Sequence, residues 1–237
     1  MTFSFDTNLI IGLIIEFDRL HETSKDLVHS LLEGKGKDLV LTSSSVRETE
    51  EKLRKAINKA LIKLYPYVLD LIKLSKDDFQ TEFLEIIEDL KKEDRYRSSF
   101  YEVLYDKTMK YLNEGKEKKK LPNFWSELSI ELSRSVEAEI KRNISNYKII
   151  QLEKEDIEDI FYLNKVLAGK KIKFKDQYDG EIFNEIIIYS QNADVTSLEF
   201  FSNDKEFIET AEKAKENLIE YSKFNISNLS FNHVTTR

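Results

Sequence analysis

Two short apolar runs in this chain end on an aspartate. Phe3-Ser4-Phe5 runs into Asp6, and Leu198-Glu199-Phe200-Phe201-Ser202-Asn203 runs into Asp204. Both are rich in aromatic residues and bounded by Asn and Asp, so both read as strands with a carboxylate at the carboxyl end. In parallel α/β sheets that is the edge where ligands bind. Two further acids are placed to join them. Glu48 lies in the first turn of a helix expected to start near Val46, and Asp179 opens the helix that precedes the strand ending at Asp204. Four carboxylates gathered at one edge would repel each other and take up protons unless divalent cations neutralise them. Mg²⁺ or Mn²⁺ suits such an all-oxygen site. A cation bound there lowers the pKa of a water, aligns it with a phosphodiester and stabilises the leaving oxygen, so hydrolysis of nucleic acid is the chemistry expected. Taken singly, an aspartate at a strand end or helix start is more often a cap or turn-former.

The elements that must position these acids follow from periodicity. Thr2 to Asp6 reads as a strand, Leu9 to Leu20 and Leu27 to Gly34 as helical, and Asp38 to Leu41 as a second buried strand after the polar turn Gly34-Lys35-Gly36-Lys37. Ser43, Ser44 or Ser45 can cap the helix carrying Glu48. From Leu53 to Ser145 only helical periodicity is present, with breaks expected at Pro66, Ser75 to Asp78, Asn113 to Gly115 and Leu121 to Asn123. Tyr147 to Leu152 reads as strand or turn. Glu155 to Leu167, Asp179 to Gln191 and Glu206 to Tyr221 read as helices, Val195 to Ser202 as the best strand of the second half, and Phe224 to Val234 as a last strand. Strands alternating with helices imply an α/β fold with a parallel sheet.

Composition narrows the function classes. The chain has 237 residues, 41% apolar and 34% charged, a globular balance. Six Gly and two Pro disfavour a turn-rich β architecture, and the absence of Cys removes disulfides, thiolate zinc sites and Cys nucleophiles. No basic leader opens the chain and no run of 18 apolar residues occurs, so a soluble cytoplasmic protein without membrane contact is expected. Net charge is 37 − 44 = −7, so contact with a polyanion needs a local basic patch or bound cations. His21, His29 and His233 are too scattered for a triad. Neither HExxH nor a Walker A loop is present. Phosphatase chemistry of the Asp-x-Asp type fits less well, because Asn8 stands at the second aspartate position.

Phe5-Asp6-Thr7-Asn8, Leu41 to Glu48 with its Val46-Arg47-Glu48, Asp179-Gly180-Glu181-Ile182, and Phe201-Ser202-Asn203-Asp204-Lys205-Glu206-Phe207 together resemble the ordered acidic set of the PIN domain family, which includes the VapC toxins and many metal-dependent ribonucleases. The resemblance implies a PIN-like parallel sheet flanked by helices, with residues 1–52 and 147–237 as the nuclease core. Residues 53–146 would be an enlarged all-helical insertion, longer than compact members carry. It implies that Asp6, Glu48 and Asp179 coordinate Mg²⁺ or Mn²⁺, that Asp204 supports a second metal or the water, and that Thr7, Asn8 and Ser202 orient those carboxylates. The spacing 204 − 179 = 25 is long for the family, so Asp176, three residues earlier, competes for the third position, and Glu181 and Glu185 are reserves. The implied activity is endoribonuclease, with RNA as substrate and a protein antitoxin or a homodimer as partner. The alternative is a catalytically inactive PIN-like scaffold that binds RNA or protein through the helical insertion.

Within that insertion Lys91 to Lys120 carries 10 − 6 = +4, ten bases against six acids, interleaved with Tyr96, Phe100, Tyr101, Tyr105 and Tyr111 and followed by Trp125. Such a segment could offer bases a stacking surface and phosphates a cation. The helical spacing of Phe100, Tyr101, Leu104 and Tyr105 equally describes a core face with a solvated lysine turn beside it, and that reading is preferred.

Overall fold

The computed structural model describes residues 1–33, 37–134, 136–144, 147–192, 194–220 and 223–235. The Gly34-Lys35-Gly36 part of the expected turn, and the expected end points Ser145 and Tyr221, lie outside these residues. The chain forms two units, one of Met1–Ile14, Leu20–Thr49 and Ala138–Arg237, the other of Ile15–Arg19 and Glu50–Glu137. The helical unit thus runs from Glu50 to Glu137, beginning three residues before the expected 53 and ending nine before the expected 146, and Ile15–Arg19 goes with it.

The elements run β1 (Thr2–Phe5), α1 (Thr7–Ile14), α2 (His21–Leu32), β2 (Asp38–Thr42) and α3 (Ser43–Leu64). Then come α4 (Val68–Leu71), α5 (Lys76–Glu93), α6 (Ser98–Asn113), α7 (Leu121–Arg134) and α8 (Val136–Asn143). The chain closes with β3 (Tyr147–Ile150), α9 (Asp156–Gly169), α10 (Gln177–Tyr189), β4 (Leu198–Ser202), α11 (Lys205–Ile219) and β5 (Leu229–His233).

The first unit is built on a five-stranded sheet of order β3-β2-β1-β4-β5, parallel throughout and flanked by helices. β1 is central, and every one of its residues is buried, as a parallel strand covered on both faces requires. Helix spacing explains the cover. α11 buries Phe207, Ile208, Ala211, Ala214 and Leu218 along one face, whereas α10 is buried at every position from Ile182 to Ile188, Asn184 and Glu185 included. The two helices close on the sheet through aromatic contacts, with Phe200 5.3 Å from Phe207 and Phe183 stacked 5.8 Å from Phe231.

Several boundaries differ from the sequence expectation for local reasons. The first helix begins at Thr7, because Asp6 Oδ1 accepts the Leu9 N–H at 2.9 Å and caps it, and it ends at Ile14 instead of Leu20. α3 starts at Ser43, straight after β2, instead of near Val46. Thr42 Oγ1 accepts the Ser45 N–H at 3.0 Å, and the N–H groups of Ser43 and Ser44 are taken up by a carboxylate 142 and 141 residues away, Glu185. Glu48 therefore stands in the second turn of its helix, not the first. α10 starts at Gln177, with Asp176 as its cap accepting the Asp179 N–H at 3.0 Å.

The helical unit contains a packed aromatic core. Trp125 and Tyr101 are fully buried, Trp125 Nε1 donates to Thr108 Oγ1 at 2.8 Å, Phe83 stacks on Tyr105 and on Trp125, and Tyr111 stacks on Phe124 at 4.2 Å. Many bases around it have acidic neighbours, including Lys91 with Glu88 and Glu102, Lys92 with Asp89 and Arg97 with Asp94, while Lys118 donates to the Leu74 carbonyl. The preferred reading of this stretch, core face plus solvated turn, is the one the packing takes. Pro122 lies within the first turn of α7 and opens that helix instead of breaking one. Among the described residues no helix is long and apolar enough to cross a membrane.

Gly12 sets the approach of α1 to α2. A Cβ there would lie 2.6 Å from Ser24 Oγ and 2.9 Å from Leu20 Cβ, and its carbonyl sits 2.8 Å from His21 Nδ1. Alanine favours a helix over glycine by about 1 kcal/mol, but overpacking costs about 1–3 kcal/mol, so Gly12→Ala is expected to destabilise the chain. Urea denaturation checks this. A variant as stable as the parent would show that the two helices have room to part.

Candidate functional site

Strand register brings the first acid to its neighbours. β1 pairs Phe5 with Phe201 on β4 and Ser4 with Val40 on β2, so Asp6, one step beyond the first pair and two beyond the second, stands level with Ser202 on one side and Thr42 on the other. After β1 the chain works outward through β2 and β3 and then crosses back to β4 on the opposite side. The carboxyl ends of β1 and β4 therefore form the point where the winding reverses, the crevice in which open parallel sheets bind ligands.

At that crevice Asp6 is buried, 7% exposed, and its two oxygens are held separately. Oδ1 accepts from the Leu9 N–H, and Oδ2 accepts from the Ser202 hydroxyl. Ser202 is itself fully buried, and its Oγ accepts the Asp204 N–H at 2.9 Å, so backbone N–H, hydroxyl and carboxylate polarise one another in sequence. Asp204 caps α11, its Oδ1 accepting from the N–H groups of Glu206 and Phe207 at 2.9 and 3.1 Å. On the other flank the Thr7 hydroxyl donates to Glu48 Oε2 across 41 residues of sequence, and Glu48 is 5% exposed. Asn8 Nδ2 donates to Asn203 Oδ1 at 3.0 Å, joining α1 to the turn after β4.

Of the side chains expected to orient these acids, Thr7 bonds the Glu48 carboxylate and Ser202 bonds the Asp6 carboxylate and the Asp204 backbone N–H, whereas Asn8 bonds Asn203 and the Asp204 carboxylate is turned to its own helix. Asp179 lies in the first turn of α10, where Asp176 serves as cap. Glu181 lies on the same helix and accepts from Arg47 at 2.6 Å and from Gln177 at 2.6 Å. Among the described residues no group of three or more acidic or histidine side chains is gathered as metal ligands would be. As a donor set, the buried carboxylates of Asp6 and Glu48 with the Thr7 and Ser202 hydroxyls beside them are hard oxygen, the chemistry that suits Mg²⁺ or Mn²⁺.

Sequence reasoning did not identify Asn203, Ser43, Ser44 or Arg47. Asn203 was legible only as part of a turn, and its partner Asn8 lies 195 residues away. The serines were read as ordinary caps, whereas Ser43 and Ser44 both donate, through N–H and hydroxyl alike, to Glu185. Glu185 is 2% exposed, and burial pushes its carboxyl above the ordinary value while the Ser44 and Ser43 donors pull it back.

No protein-family model, no curated protein and no solved structure matches this chain.

Two measurements probe this geometry. A double-mutant cycle of Thr7→Val with Glu48→Ala should give a coupling of about 1.5–3 kcal/mol, the range for a hydrogen bond to a charged group, and a coupling near zero would show that the two do not interact. Because the Glu185 carboxyl binds its proton more tightly in the folded chain than in the unfolded one, its contribution is fullest below the ordinary carboxylate pKa and is lost as pH rises through the raised value. Glu185→Gln, which has no proton to lose there, should therefore shed less Tm than the parent between about pH 4 and pH 7. Parallel Tm curves for the two proteins would refute the shift.

Proposed function

We propose that this chain is a metal-dependent endoribonuclease of the PIN-domain type, with its helical unit, Glu50–Glu137, as an insertion in that fold. The observation that carries the reading is the placement of Asp6 at the carboxyl end of the central strand, beside the winding reversal, with Glu48 reached through Thr7 and Asp204 through Ser202. The strand order supports it by setting Asp6 at the end of the central strand, and the ordered acids support it by their resemblance to the family's set.

In this reading Asp6, Glu48 and Asp179 would hold Mg²⁺ or Mn²⁺, with Asp204 supporting a second ion or the attacking water. When bound, such ions neutralise a phosphodiester and lower the pKa of a coordinated water. The work of the chain itself is orientation. Ser202 holds one oxygen of Asp6, and the first turn of α1 holds the other, so the Asp6 carboxylate is oriented from both sides. Thr7, adjacent to Asp6 in sequence, holds the Glu48 carboxylate beside it. With a formal net charge of −7 the protein has no general attraction for RNA, so phosphate contact rests on the cations and on local bases.

The test is cleavage of a fluorescent single-stranded RNA titrated with Mg²⁺ and Mn²⁺. Cleavage should require the metal, stop on chelation, and fall at least about 100-fold in Asp6→Asn, a loss no smaller than removal of a supporting residue causes at metal sites. Circular dichroism should show that variant still folded. Cleavage by Asp6→Asn at the parent rate would overturn the role of Asp6. RNA bound without any metal-stimulated cleavage would replace the nuclease reading with a PIN-like scaffold that binds without turnover.

A further inference from the structure

We propose that Glu185 is a positioning residue that locks α3, and with it Glu48, to α10, whose first turn carries Asp179. This inference rests on the nuclease reading above and adds to it the device that would set two of the acids relative to each other.

The first four N–H groups of a helix have no partner within it. In α3 those of Ser43 and Ser44 are bonded by the Glu185 carboxylate, Oε2 taking Ser43 N at 2.6 Å and Oε1 taking Ser44 N at 3.2 Å. The hydroxyls of the same serines add two more bonds to Oε1, at 3.0 Å from Ser43 and 2.5 Å from Ser44. A negative charge at a helix N-terminus is favoured by the helix dipole. An α3 capped by its own serines would have no bond from its first turn to α10. Capped by Glu185, it is joined to α10.

A second strap lies one turn along. Arg47, next to Glu48, donates to Glu181, two residues after Asp179, and also to Ser44 Oγ at 3.0 Å. The Arg47–Glu181 pair is well exposed, 59% and 31%, so it contributes little by itself. Glu185 is 2% exposed, and breaking its bonds would leave buried donors without acceptors, the costlier loss. Of the two straps, Glu185 therefore carries the alignment.

The experiment compares the full chain with Glu185→Ala, Glu185→Gln and Ser44→Ala. Three readouts are taken: calorimetric titration with Mn²⁺ alone, RNA cleavage against Mn²⁺ at saturating RNA, and Tm. Glu185→Ala should raise the half-saturating Mn²⁺ about tenfold, the scale for loss of a residue that orients metal ligands, with KM for RNA unchanged. Glu185→Gln keeps an oxygen for the Ser43 N–H and a group the hydroxyls can bond, and should recover most of the loss. Ser44→Ala should shift Mn²⁺ binding in the same direction by less. A fall in Tm with parent-like Mn²⁺ binding in Glu185→Ala would overturn the positioning role and leave only a structural one. Should that variant not fold, parent-like binding in Ser44→Ala overturns it instead. A Glu185→Gln as impaired as Glu185→Ala would also overturn it, since a direct ligand loses its charge equally in both. If the parent neither binds Mn²⁺ nor cleaves RNA, the nuclease reading falls before any variant is measured.

Discussion

The parallel register of β1 with β4 is the constraint on which the rest of the arrangement depends. Once Phe5 pairs with Phe201, the next residues, Asp6 and Ser202, must emerge side by side at the carboxyl edge, and the Ser202 hydroxyl reaches the Asp6 carboxylate. A slip of one residue would turn every side chain of β1 to the opposite face and carry Asp6 away from Ser202. The slip is opposed by burial on both faces of β1 and by Phe201, which packs against Phe3 at 6.2 Å and Phe5 at 6.1 Å. The core beneath the sheet therefore fixes the polar contacts at its edge.

From that edge the supporting bonds spread outward, and each joins two different elements. Thr7 on α1 reaches Glu48 on α3, Asn8 on α1 reaches Asn203 after β4, and Glu185 on α10 reaches the start of α3. Buried polar groups of this kind are stabilising only when their partners are present, which makes the network unforgiving of single losses. The same network gives a physical reason for Gly12. α1 carries both Thr7 and Asn8, and its angle is set by the close approach to Leu20 and Ser24 that only a residue without a Cβ permits.

The helical unit illustrates that the aromatic content of a segment does not by itself make a surface. Its aromatic residues, interleaved with lysines, have the content of a nucleic-acid surface. Phe100, Tyr101, Leu104 and Trp125 instead form a buried interior, and Tyr111 is covered by Phe124. A helical period marks a face that must be buried and does not say what buries it. Lysines such as Lys91 and Lys92 lie beside acids three residues away on the same helix, a pairing the sequence did contain.

By itself the sequence determined what depends on near neighbours. The carboxyl ends of β1 and β4 were legible from aromatic runs closing on Asp6 and Asp204, the buried face of α11 from its spacing, and the parallel α/β class from the alternation of elements. The supporting roles expected of Thr7, Asn8 and Ser202 came from the family resemblance and not from local signals, and of the three Asn8 bonds Asn203 and not a carboxylate. Tertiary structure alone decided where α3 begins and how it is capped, because the carboxylate that satisfies Ser43 and Ser44 comes from 142 and 141 residues away. It likewise decided which acid each hydroxyl serves, and that Asp176 faces its own helix as a cap. Local propensity is written in adjacent residues, whereas partners brought together by sheet register and helix packing are settled only when the whole core closes.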